Sequence, residues 1–259
     1  MEFYTLASGS SGNCTLVTGA GATVLVDAGI SCRKITTRLK ALGRTLADVD
    51  SIFITHTHSD HISGLNVLLK QWHGPVYASG EAGADLRSKV ANLGREQLIP
   101  LTSQEPVTLG DLTVTAFSTP HDAPGSMGYH MAGEGRRFAI ATDLGWVQPH
   151  IARMLDGVDA AIVEANHDPD WLRDGPYPYY LQQRILGDYG HLSNEACGEL
   201  AVSLVRSGAR VLVLGHLSRE NNAPERAYAV VSRYLEQARC GGVQLWVAPR
   251  DEVGGPYIV

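Results

Sequence analysis

The chain has 259 residues, 44% of them apolar, which is enough material for a large buried core, and no apolar run reaches the length of a membrane-spanning helix. With 21 basic residues against 27 acidic ones its net charge is −6. That excludes a protein that holds a polyanion by overall charge; contact with nucleic acid must come from a local patch or from bound cations.

The chain shows no low-complexity tract, internal repeat or long linker. Phe3–Ala7, Cys14–Thr18 and Thr23–Val26, each bounded by Gly, Ser or Asp, read as strands. The Gly/Ser-rich run Ser8–Asn13 between the first two reads either as a plain hairpin turn or as a loop whose amides line an anion site. Ser31 caps a helix to Leu42, with Ile35, Leu39 and Leu42 at helical spacing. A strand at Ser51–Thr55 is followed by a helix near Ser63–Trp72, a strand at Val76–Ala78 and a helix over Gly80–Leu93. The middle is strand-rich: Val107–Leu109, Leu112–Ser118, Met127–Met131 and Arg137–Thr142, with turns at Gly110-Asp111 and Gly133-Glu134-Gly135. A helix near Pro149–Leu155, a strand at Ala160–Glu164 and helices at Tyr179–Leu186 and Asn194–Arg206 follow. Val211–Leu214 reads as a strand, Pro224–Gln237 as a helix, and Val243–Val247 and Tyr257–Val259 as closing strands. Two roughly equal halves of this kind suit one domain over residues 1–259, an α/β sandwich of αββα layers. Periodicity alone does not separate it from other α/β folds.

Chemistry concentrates just past Ser51–Thr55. The segment His56-Thr57-His58-Ser59-Asp60-His61 packs three imidazoles and a carboxylate into six residues at a strand end. His56 and His58, two apart, point the same way in extended chain and can grip one ion. Asp60 and His61 follow the turn and can face a second. These donors suit zinc, and also manganese or iron. Further ligands have to come from other strand ends. His121 follows Val114–Thr119, Asp143 follows Phe138–Thr142, and His216 follows Val211–Leu214 and Gly215. A polar residue after a strand is ordinary on its own; together with the cluster these three complete two sites.

The series HxHxDH, then His, Asp and His, resembles the ligand series of the metallo-β-lactamase superfamily, and the resemblance spans nearly the whole chain. It implies the four-layer αββα fold and two divalent ions. His56, His58 and His121 would hold the first ion, Asp60, His61 and His216 the second, and Asp143 would bridge them. Asp rather than Cys at position 143 favours the dinuclear hydrolases and phosphodiesterases over true β-lactamases. His at position 58 argues against the oxygen-reducing di-iron branch, which has Glu there.

A finer resemblance is to the YycJ (WalJ) family of nucleases with this fold. It is carried by Ala7–Asn13, Val163–Asp168, Pro176-Tyr177-Pro178 with Arg184-Ile185 and Gly190–Asn194, and Leu214–Asn222. The family is associated with exonuclease action on DNA from the 5′ end. The expected activity is therefore a phosphodiesterase with a metal-bridging hydroxide as nucleophile, oriented by Asp60. His191, ahead of a helix, is expected beside the phosphate or leaving group. Ser193 reads as a helix cap or a substrate contact, and so does Asn194; Asn166 and His167 read as a site wall or as a bare loop. Trp171, Tyr177, Tyr179 and Tyr180 could stack on bases but read first as packing under a loop. DNA is the expected partner with RNA as the alternative; neither a membrane nor a protein partner is indicated. The competing enzyme reading, on the same metal centre, is a thioester or lactone hydrolase of the glyoxalase II type. Met1–Thr5 shows no leader pattern and Cys14, Cys32, Cys197 and Cys240 form no CxxC pair, so the expectation is a cytoplasmic protein with reduced thiols.

Overall fold

The computed structural model describes residues 1–259. The first half supplies strands β1 (Glu2–Ala7), β2 (Cys14–Gly19), β3 (Ala22–Val26), β4 (Ser51–Phe53), β5 (Val76–Ser79) and β6 (Leu98–Leu101). Helices α1 (Cys32–Ala41), α2 (Ser59–Ile62), α3 (Leu65–Leu68) and α4 (Gly80–Lys89) lie between them. The second half supplies β7 (Pro106–Leu109), β8 (Leu112–Ser118), β9 (Met127–Gly133), β10 (Arg136–Ala141), β11 (Ala160–Glu164), β12 (Val211–Gly215) and β13 (Gln244–Val247). Its helices are α5 (Pro149–Leu155), α6 (Pro169–Asp174), α7 (Tyr179–Leu186), α8 (Asn194–Ser207) and α9 (Pro224–Gln237). The chain then crosses back, and β14 (Gly254–Ile258) pairs antiparallel with β1.

The result is two seven-stranded mixed sheets, ordered β14-β1-β2-β3-β4-β5-β6 and β13-β12-β11-β10-β9-β8-β7. Alternation along the strands sorts the side chains into three buried layers. Val24, Val26, Phe53, Tyr129, Phe138, Ile162 and Val213 fill the space between the sheets. Their neighbours Leu25, Ile52 and Ile54 pack outward with Ile35, Leu39, Leu68 and Leu86 of α1, α3 and α4. Val163, Leu212 and Leu214 pack outward with Ile151, Leu204 and Val231 of α5, α8 and α9. Strands buried on both faces read as unbroken apolar runs, as Ala160–Val163 and Val211–Leu214 do. The αββα sandwich expected above is the fold observed. No helix is long and apolar enough to cross a membrane.

Strand direction decides where the chemistry collects. β3 to β6 are parallel, and so are β10 to β13. β1 and β3 both oppose β2, so they run the same way; β8 and β10 both oppose β9. The C-terminal ends of β1, β3 and β4 therefore share one edge of their sheet, and those of β8, β10, β11 and β12 share one edge of theirs. Met127 N donates to Thr55 O at 3.0 Å, and His216 N donates to Ser8 Oγ at 2.9 Å, so the two edges meet.

Three elements depart from the sequence reading. The helix expected near Ser63–Trp72 starts four residues earlier, as α2, and breaks at Ser63-Gly64 before α3. The helical bond is lost there because Gly64 N donates to Ala28 O at 2.9 Å while the Asp60 carbonyl accepts from Asn13 N at 2.7 Å, and Gly64 lies against the Ile30 carbonyl where a Cβ would collide. Edge strand β6 escaped notice because Pro100 interrupts its pattern, which an edge tolerates. Helix α6 did carry a signal: Asp168 accepts from Asp170 N and Trp171 N, both at 3.1 Å, with Pro169 in its first turn.

Phe3 of β1 and Phe138 of β10 stack across the two sheets, ring centroids 4.2 Å apart, both fully buried. Phe138→Ala is expected to lower unfolding free energy by about 3–5 kcal/mol. Urea unfolding checks this through a lowered midpoint at an unchanged slope.

Candidate metal centre

The sandwich edge gathers Asp27 after β3, His56, His58, Asp60 and His61 after β4, His121 after β8, Asp143 after β10, Glu164 closing β11 and His216 after β12. Three of these, Asp27, Asp143 and His216, hold left-handed backbone, with φ of 62°, 58° and 55°. Non-glycine residues adopt this conformation rarely and at a cost of the order of 1–3 kcal/mol, so the surrounding bonds must hold them there.

Two buried carboxylates supply those bonds. Asp27 accepts from Thr55 N and Thr55 Oγ1, both at 2.8 Å, and from His61 Nδ1 at 2.7 Å. His61 Nε2 is thereby aimed at Asp143 (3.4 Å) and Asp60 (3.5 Å). Glu164 accepts from His216 Nδ1 at 2.7 Å and His191 Nδ1 at 2.8 Å through one oxygen. Its other oxygen accepts from Leu144 N and Leu192 N, both at 3.1 Å. His216 Nε2 then faces Asp60 at 3.2 Å and Asp143 at 3.4 Å.

The remaining imidazoles converge in the same way. His56 Nδ1 lies 3.1 Å from Thr55 Oγ1, and its buried Nε2 has no partner. His121 Nδ1 donates to Gly190 O at 3.2 Å, and its Nε2 stands 3.2 Å from His58 Nδ1. Two imidazole nitrogens that close need a cation or a proton between them. Asp143 lies between the sets: Oδ1 approaches His216 Nε2 and, at 3.7 Å, His121 Nε2, while Oδ2 near His61 is buried without a hydrogen bond.

The donor atoms of His56, His58 and His121 lie close enough to share one ion, and so do those of Asp60, His61 and His216. The carboxyl of Glu164 also lies within that range of Asp143, His191 and His216, but two amides and two imidazoles already occupy its oxygens. Orphaned buried donor atoms, imidazole and carboxylate chemistry and two convergent sets all fit a dinuclear metal centre.

Electrostatics point the same way. Burial, reinforced by neighbouring imidazoles, drives the His56 pKa well below its ordinary value, so the ring is neutral as a ligand must be. Burial would do the same to His216, but Asp143, Asp60 and Glu164 outweigh it and raise it to about 10. His61 is likewise raised against burial, by Asp143 and Asp27. Burial would raise Asp60, but hydrogen bonds from His216 and His61 hold it far below the carboxylate range. The cluster of carboxylates thus favours positive charge in a buried place, which bound cations would supply.

Beside the cluster lies a pocket lined by Ser10, Asn166, Tyr177, Arg184, His191 and Ser218, with Asp122 at its wall. Asp122 Oδ1 stands 3.6 Å from both His58 Nε2 and His121 Nε2, and its other oxygen accepts from Arg184 Nε. All seven expected ligands meet at the cluster, and His191 reaches the pocket. Asn166 lines it while donating to His216 O at 2.9 Å.

Three expected substrate contacts do not reach it. Ser193 Oγ caps α8, accepting from Ala196 N at 3.2 Å. Asn194 is fully buried in an amide pair with Asn222, at 3.0 and 2.9 Å. His167 is buried behind the site, with no partner for either ring nitrogen. Conversely, Ser8–Asn13 does connect β1 and β2 but is more than a turn: Asn13 Nδ2 reaches His61 Nε2 (3.1 Å) and Asp60 O (3.3 Å). Asp27 was missed, although Val24-Leu25-Val26-Asp27 has the same form, apolar strand then carboxylate, that singled out Asp143.

Glu164→Gln removes the acceptor that orients His216, and metal affinity is expected to fall about 10- to 100-fold. Metal content after dialysis against graded chelator measures this. His167 yields a second expectation. Burial lowers its pKa from 6.5 to about 4, so the unfolded chain takes up a proton at a higher pH than the folded one. Stability falls as pH drops through that window, by about 3 kcal/mol in all. His167→Leu should flatten this part of a urea-midpoint-versus-pH curve.

Comparison with known proteins agrees with this centre. The family described as "Beta-lactamase superfamily domain" matches residues 22–217. Exodeoxyribonuclease WalJ of Streptococcus pneumoniae is 36% identical over 242 residues, covering 93% of this chain and 90% of the relative. Exodeoxyribonuclease YycJ of Bacillus anthracis is 35% identical over 241 residues, covering 93% of this chain and 91% of the relative. The metallo-β-lactamase fold protein YhfI of Bacillus subtilis superposes with a TM-score of 0.73 at 17% identity, covering 98% of this chain and all of that one, which shows the shared fold. With a superfamily match across the centre and near-full-length similarity to two exodeoxyribonucleases, the chain belongs to the WalJ/YycJ family of metallo-β-lactamase-fold hydrolases.

Proposed function

We propose that residues 1–259 form one hydrolase domain that cleaves phosphodiester bonds at a DNA end, working from the 5′ terminus. The observation that carries this reading is the carboxylate shared by Glu164: one oxygen holds both His216, at the cluster, and His191, at the pocket. A group at the pocket wall is thereby locked in register with the metal ligands, as attack and departure at one phosphorus require. The near-full-length similarity to two exodeoxyribonucleases supports DNA as the substrate class.

His56, His58 and His121 would hold one divalent ion, Asp60, His61 and His216 the other, with Asp143 facing both. Zinc and manganese suit these donors, and iron is compatible. When bound, the ions supply charge that neutralises the phosphate and acidifies water at neutral pH. The chain's own groups do the rest. Asp60, partly exposed at the cluster, accepts a hydrogen bond from the attacking water and aims its lone pair at phosphorus. Glu164 holds the Nδ1–H of His191, which leaves Nε2 to face the pocket. In its doubly protonated form His191 donates that Nε2 proton to the leaving oxygen. Asn166 keeps the His216 backbone fixed beside it.

Duplex DNA labelled at one 5′ end, incubated with manganese-loaded or zinc-loaded protein, tests this. Wild type should release labelled mononucleotides or short oligonucleotides. Asp60→Ala should abolish release, and His191→Ala should lower kcat by about a hundred- to ten-thousandfold. Turnover of S-acyl glutathione, with no cleavage of DNA or matched RNA under either metal, would replace the proposal with a thioester hydrolase.

A further inference from the structure

The parallel crossover from β11 to β12 needs one helix, and α8 is sufficient. Helices α6 and α7 are an addition to it, and α7 buries no residue of its own. It is nonetheless fastened to the site at two points. Arg184 pairs with Asp122 beside His121, and Ile185 O accepts from His191 N at 3.0 Å. Leu181, Arg184 and Ile185 form its pocket side, and Tyr177, two residues before the helix, lines the pocket with them.

Along its rim the helix is aromatic and bare. Tyr179 and Tyr180 are each 74% exposed, and Tyr189, just past the helix, is 65% exposed. For Tyr179 and Tyr180 this overturns the expectation that they pack under a loop. Tyr180 lies one turn before Arg184, so the two share a side of the helix at the pocket rim. Exposed rings clustered on an element bonded to the reacting centre have no partner within the chain.

We propose that Tyr179 and Tyr180 form a stacking platform for the bases of a single-stranded DNA end whose scissile phosphate lies at His191. The inference rests on the nuclease reading above. It follows from what the segment can and cannot offer. Residues 169–190 carry Asp170, Asp174 and Asp188 against Arg173 and Arg184, so the segment cannot hold a strand by charge. A duplex presents phosphates and hides its base faces; a single strand presents those faces, and a ring stacks on any of them without regard to charge or sequence. The platform is continuous with the pocket through Tyr177 and Arg184, so a strand with one end at His191 can pass onto it. Its role is to fix the register of the end, and it takes no part in the bond-breaking step.

The test compares wild type, Tyr179→Ser/Tyr180→Ser and Tyr179→Phe/Tyr180→Phe. Fluorescence anisotropy reads binding of labelled decathymidylate, and kinetics are followed on decathymidylate and on bis-p-nitrophenyl phosphate. The serine pair should weaken decathymidylate binding and raise its KM by about tenfold or more, with kcat kept. The phenylalanine pair should retain wild-type affinity, and the loss should persist at high salt. Unchanged binding and KM in the serine pair would overturn the platform. So would a wild-type dimer that the serine pair converts to monomer in light scattering, because a second copy would then be the occupant. If wild type binds decathymidylate through these rings but cleaves neither substrate, the nuclease reading fails separately.

Discussion

A carboxylate taken out of water must have its oxygens bonded, or it will not stay ionised. Asp27 and Glu164 have their oxygens bonded in a similar way, one in each half of the molecule, although burial still raises the Asp27 pKa, whereas for Glu164 the two imidazoles outweigh burial and hold it low. Asp27 accepts one backbone amide and a hydroxyl, both of Thr55, and Glu164 two backbone amides; each also accepts an imidazole Nδ1–H from a histidine whose Nε2 then points into the cluster. The tautomer and direction of His61 and His216 follow from those bonds, and so does the geometry available to an ion. Burial and hydrogen bonding are thus one arrangement: burial makes each bond strong, and the bonds make burial tolerable.

The backbone serves the same end. Asp27, Asp143 and His216 sit in left-handed conformations within two residues of a strand end, where the chain turns at the cluster. Tertiary contacts hold that strain. Ser8 Oγ accepts from the His216 amide, and Asn13 reaches Asp60 and His61, so a loop from the first sheet braces ligands from both. Gly29 lies under the Asp60 carbonyl and the Asn13 amide, where any side chain would collide with the loop that carries the ligands.

Around this rigid centre the pocket is built from later parts of the chain, chiefly α7 and the segment ending at His191. Their attachment is lighter: a guanidinium–carboxylate pair, a backbone bond and half-buried side chains. Elements with little buried apolar surface open at low free-energy cost, and that suits a wall past which a polymer end must enter and leave.

The cluster His56–His61, its histidine and aspartate partners after three further strands, and the layered order of elements were all legible in the sequence. A strand leaves its signature in local periodicity, and metal-ligating residue types are rare enough in combination to stand out. Asp27 and Glu164 were harder: a single carboxylate after an apolar run says nothing about which distant imidazole it will meet. Ser193, Asn194 and His167 looked like site residues because they neighbour His191 and Asn166 in sequence. In the fold, α8 capping, an amide pair and burial take them instead. The sequence alone therefore determined the donor set and the layers, because both depend on residue type and local period. Only the tertiary structure decided which nitrogen faces which oxygen, which carboxylate orients rather than ligates, and which aromatics stay in water, because strand direction across two sheets sets those contacts and no local pattern records it.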